Sequence, residues 1–67
     1  MSVAIITEIS ATSKKSFYYA LNAGVERANK TLKNVKSVWI KDQQADVENG
    51  KISEYRVLLK VTFVLED

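Results

Sequence analysis

The sequence predicts an α+β fold: a three-stranded antiparallel sheet of strand order 1-3-2, partly wrapped around one helix, in chain order β-α-β-β. Three observations predict it. The opening "VAIITEIS" alternates apolar and polar residues with the period of a strand. The stretch after it repeats its apolar residues at the three- and four-residue spacing of a helix. The pair Asn49-Gly50 then joins two long alternating stretches, and Asn-Gly is the strongest short-range hairpin signal. With 67 residues, 46% apolar and 27% charged, the chain is expected to form one domain over residues 1–67.

The first strand is expected over Val3–Ser10, with Val3, Ile5, Thr7 and Ile9 on its better apolar face. Thr12 and Ser13 are N-cap candidates, since a side-chain oxygen can accept from the free amides of a first helical turn. The helix is expected from about Lys14 to Lys33, with Phe17, Ala20, Leu21, Gly24, Val25, Ala28 and Leu32 on one stripe. Asn34 tolerates the left-handed conformation that ends a helix. Gly24 within the stripe costs about 1 kcal/mol relative to Ala, and a close helix–sheet approach is the expected return. Tyr18 and Tyr19 are expected to be half-buried.

With Asn49 and Gly50 as turn residues, Val38 is expected opposite Val61, Ile40 opposite Leu59, Asp42 opposite Val57 and Gln44 opposite Tyr55. One surface of the hairpin then carries Val38, Ile40, Tyr55, Val57, Leu59, Val61 and Phe63 and faces the helix stripe. The other carries Ser37, Trp39, Lys41, Gln43, Val47, Ile52, Arg56, Leu58, Lys60, Thr62 and Val64. A chain that enters on strand one, returns on the helix and goes up and down the hairpin is fully antiparallel only with strand three in the centre. Arms of ~14 residues reach roughly 45 Å, whereas a ~19-residue helix spans about 28 Å. One helix cannot cover that sheet. The uncovered face, with Trp39, Leu58, Val64, Val47 and Ile52, predicts a homo-oligomer.

Composition narrows the chemistry. There is no Cys and no His, which removes disulfides, thiolate metal sites and the usual acid–base residue. The net charge of +2 comes from scattered Lys and Arg; a nucleic-acid footprint would be a basic stripe with interleaved aromatics. The N-terminus reads as neither a leader nor a membrane span, and a cytoplasmic protein is expected. No nucleophile–base pair, Gly-rich phosphate loop or nucleotide fingerprint is visible, so the chain does not read as an enzyme. Asp42, Gln44, Asp46 and Glu48 offer oxygen ligands that could hold a divalent cation at a subunit junction.

Three segments carry a family resemblance: "ATSKKSF" after strand one, "ERANKTLKNV" at the helix end and "NGKISEYRVLLKVTFVLED" as the last strand. In order and spacing the chain resembles the dodecin family, with Ala11 where the family usually has glycine. The resemblance implies a hollow dodecamer of identical chains that binds flavins (riboflavin or FMN) without catalysis. It also implies two ring contacts: a tryptophan three residues past the helix-ending Asn, which is Ser37 here, and a glutamine directly after the tyrosine of the last strand, which is Arg56 here. The chain therefore resembles members that lack the stacking tryptophan.

Both positions fall on the face that carries Trp39. Trp39 could take over stacking from ~6.6 Å along the strand, or it could anchor a subunit contact. Arg56 could bind a phosphate or carboxylate, or pair with a neighbouring subunit's acid. Gln43 and Lys41 are further ligand or interface candidates beside it.

Overall fold

The structure is a computed structural model, and it describes residues 3–65. The outermost positions of the expected 1–67 domain lie outside the described residues. Strand β1 (Val3–Ser13) leads into helix α1 (Phe17–Thr31), followed by β2 (Val35–Glu48) and β3 (Lys51–Leu65). The sheet is antiparallel in the order β1-β3-β2, as the chain path requires.

Strand β1 continues three residues beyond its expected end, because Ala11, Thr12 and Ser13 pair with Val57, Arg56 and Tyr55. That pairing takes Thr12 and Ser13 out of contention as helix caps. Ser16 is the N-cap: its backbone is extended, and its Oγ accepts from the Tyr19 amide at 3.1 Å. Ser13 serves the connecting turn instead, accepting from the Lys15 amide at 3.0 Å. The helix is correspondingly shorter than expected, 15 residues or about 22 Å. It closes at Leu32, whose amide donates to the Ala28 carbonyl. Asn34, at φ 60°, then turns the chain into β2. Positive φ at Asn49 (54°) and Gly50 (77°) gives the two-residue hairpin turn.

The helix stripe meets the central strand. Ala20, Ala28, Val57, Leu59 and Val61 are buried, with Ile9, Ala11, Phe17, Leu21, Leu32, Val35 and Val38 packed around them. Gly24 sits where a Cβ would lie 2.7 Å from Leu59 Cδ1 and 3.3 Å from the Ala11 Cβ. Glycine thus gives up helix propensity to let α1 approach β1 and β3. Phe17 closes the helix's N-terminal end edge-on against Tyr55, ring centroids 5.0 Å apart. Tyr18 and Tyr19 are exposed rather than half-buried, because they point away from this stripe and pair with each other at 6.2 Å.

The hairpin register holds at Val38–Val61 and Ile40–Leu59 and then changes. A β-bulge at Lys41 places Asp42 opposite Leu58, Gln43 opposite Val57, Gln44 opposite Arg56 and Ala45 opposite Tyr55. The expected Asp42–Val57 and Gln44–Tyr55 pairs do not form. A second irregularity at Ser53 restores the original register, so that Val47 faces Ile52 near the turn. A third, at Lys36, sets Val35 opposite Phe63 and lets Val35 join the core. Bulges bend a strand and increase its twist, and three such irregularities fall in a hairpin that far outruns the short helix, within a molecule 52 Å long.

Candidate functional site

The sheet face away from the helix is ordered in rows across three strands. The pairing aligns Ile6, Thr62 and Ser37; then Glu8, Lys60 and Trp39; then Ser10, Leu58 and Asp42; then Thr12, Arg56 and Gln44. Among the described residues, no element covers these rows. Trp39 is 63% exposed and Ile6 58%.

Trp39 stands beside Ser37 on this face, as the alternation of β2 requires. Its indole carries the Lys60 ammonium 5.2 Å from the ring centroid. At an exposed site such a cation–π contact contributes about 0.5–1 kcal/mol. Lys41, the bulge residue, reaches across β3 to Glu8, with Nζ 3.3 Å from Oε1. It is thus tied to the opposite edge of the sheet. Ser37 is exposed and presents a hydroxyl only.

Arg56 lies at the other end of the face. It donates to Asp46 Oδ2 at 2.8 Å, and Glu54 Oε1 lies 3.8 Å from the same nitrogen. The Lys41 bulge makes this possible. In an unbroken register Asp46 would point to the helix side; the extra residue brings Asp42, Gln44 and Asp46 round to the side of Arg56. The hydrogen bond from Arg56 holds the Asp46 carboxyl below the usual aspartate range. The same bond raises the pKa of the guanidinium. Arg56 therefore finds its acid within its own chain. Gln43 pairs with Val57, and Gln44 takes the place beside Arg56. Gln43 still borders a shallow hollow of about 150 Å³, together with Ser10, Asp42, Gln44, Arg56 and Leu58.

Ser37 and Arg56 stand opposite Thr62 and beside Gln44 respectively, three rows apart. Six residues along β3 separate them by about 20 Å, farther than a fused three-ring system reaches. A ligand touching both positions would meet them on different copies of the chain.

A larger apolar groove of about 570 Å³ runs between α1 and β1 on the other side of the sheet, floored by Ile9, Ala11, Gly24 and Ala28. Among the described residues, no three acidic side chains converge as a cation site. Of the oxygen ligands read from β2, Asp46 is engaged by Arg56, and Asp42 Oδ1 accepts from the Gln43 amide at 3.0 Å. None of the described helices is long and apolar enough to cross a membrane.

For a flavin, the fit rests on a flat aromatic platform and on an edge group that both donates and accepts. Ser37 supplies no platform. Arg56 donates only, and its Nη2 is engaged by carboxylates. The two positions do not fit a flavin in the pose that the family resemblance implies.

Comparison with known proteins identifies the architecture. The chain is 32% identical to the dodecin of Thermus thermophilus over 60 residues, 90% of this chain and 87% of that protein. A crystal structure of a variant of the Thermus thermophilus dodecin superposes with a TM-score of 0.93 at 30% identity, over 100% of this chain and 98% of that one. The dodecin of Streptomyces coelicolor gives 0.92 at 27% identity, over 98% and 94%. The Dodecin family model matches residues 3–66, and the chain belongs to the dodecin family.

Proposed function

We propose that the chain is the non-enzymatic subunit of a dodecin-type shell, closed by contacts between copies through the outer sheet face. One observation carries this reading: α1 covers only part of one face of the sheet, and the other face leaves Trp39 and Ile6 largely open to water. An uncovered apolar patch rimmed by charge is the mark of an interaction surface. In this reading Trp39 anchors a subunit contact, and Lys41 flanks it, whereas the bulge turns Gln43 away from that face. The family relationship supports twelve copies, a cytoplasmic location and a role in sequestering a small flat ligand. Ser37 and Arg56 occupy the two positions where the family resemblance places the flavin contacts, and their side chains do not suit a flavin there.

Sedimentation equilibrium tests the assembly. The expected particle is near twelve chains at micromolar concentration, and a stable monomer would overturn the shell.

A second reading is favoured by the exposure of Trp39, which leaves the ring available for displaced stacking of a flat ligand. Titration of riboflavin against wild type and Trp39→Ala, followed by flavin fluorescence, separates the two. Quenching lost only in the variant assigns Trp39 to the ligand. Quenching unchanged in the variant removes it from the site.

A further inference from the structure

We infer that Ser37 and the Arg56–Asp46 latch together act as a two-position block against neutral flat rings, and that this block is reversible by substitution. The inference rests on the shell reading above, because a ligand spanning the two positions requires two copies.

At Ser37 the block is an absence of surface. The residue lies opposite Thr62, which Ile6 flanks on the other side, so no ring in that row offers a stacking face. The nearest indole, Trp39, is one row away with an ammonium already over it.

At Arg56 the block is chemical. The edge of a flavin's pyrimidine ring alternates carbonyl acceptors with an N–H donor. A side-chain amide matches such an edge because it both accepts and donates; a guanidinium has no acceptor. Turning the Arg56 Nη2 toward a neutral edge would also break a charge-assisted bond of 2.8 Å to Asp46 and part it from Glu54. Charge-assisted bonds are roughly twice as strong as neutral ones, so the exchange is unfavourable. The Lys41 bulge holds Asp46 on the same face as Arg56, so both halves of the latch come from one chain.

Wild type, Arg56→Gln and the double variant Ser37→Trp/Arg56→Gln are titrated with riboflavin, with sedimentation run on each. The expected result is a wild-type particle without saturable quenching in the micromolar range. The double variant, in the same particle, is expected to bind at least about tenfold more tightly. Saturable quenching by wild type, as tight as that of the double variant, overturns the inference. So does a double variant that assembles and fails to bind. Should the double variant not assemble, the wild-type and Arg56→Gln titrations decide: no gain on Arg56→Gln overturns the latch, and a gain supports it. Failure of the wild type to assemble refutes the shell reading, and the sedimentation data show that separately.

Discussion

Along β3, neighbouring residues live in different environments. Val57, Leu59 and Val61 are fully buried beneath α1, whereas Arg56, Leu58 and Lys60, which alternate with them, remain partly open on the other face. The helix side is packed by small residues and a glycine so that a short helix can sit close. The outer side is built from ion pairs, an ammonium over an indole and apolar groups without cover. The same backbone therefore divides labour: one face makes the fold, and the other is the one proposed for contacts between copies.

Substitutions on each face should separate these roles. Leu59→Ala removes the largest fully buried side chain and is expected to cost about 2–5 kcal/mol, read from the urea midpoint at unchanged slope. A loss of less than about 1 kcal/mol would move the source of stability away from the helix-facing core. Trp39→Ala should act on the other face. The far-UV spectrum of the chain should be preserved, while dissociation of the assembly strengthens by about 2 kcal/mol, the scale of an interface hot spot. An unchanged particle after dilution would take Trp39 out of the interface.

Smaller effects sharpen the contrast. Gly24→Ala gains about 1 kcal/mol of helix propensity. Its new methyl group would press on Leu59, and overpacking costs about 1–3 kcal/mol. A net loss of about 1 kcal/mol in chemical denaturation is the expected outcome; a gain would mean that Leu59 can move aside.

The weakest effect belongs to Asp46. Its carboxyl titrates lower in the folded chain than the ordinary aspartate value of 3.8. Its stabilisation is therefore fully present above that value and fades as pH falls through the lower, folded value. Asp46→Asn should flatten this small acid-limb dependence in thermal melts, and the same slope in the variant would assign it to other carboxylates.

The sequence made the helix-facing side legible and the outer side only partly so. The helix stripe, the Asn-Gly turn, the strand order and the Val38–Val61 pairing all follow from periodicity, and periodicity is strong where one face is buried. From Lys41 to Asp46 both faces are mostly polar, so a one-residue slip changes no apolar burial and leaves no pattern to detect. The bulge was invisible for that reason, and with it the partner of Arg56. The helix start failed for a different reason. Thr12, Ser13 and Ser16 are all competent caps, and the choice among them is made by the pairing of β1 with a strand more than forty residues away. The exposure of Tyr18 and Tyr19 was missed because a stripe states which residues turn inward and says little of the flanks.

The hairpin irregularities have a geometric consequence. The extra residue at Lys41 in β2 is cancelled by one at Ser53 in β3, so the two arms are again equal at the turn. Removing a bulged residue would leave the flanking backbone pairs as they are and take away the local bend, together with the Lys41–Glu8 ion pair where Lys41 is the one removed. Curvature and pairing are therefore separately editable in this chain. In the proposed shell, curvature sets the angle between neighbours, and that angle sets the radius. Single-residue deletions at Lys36, Lys41 or Ser53 would then change the size of the particle while keeping the fold of its parts.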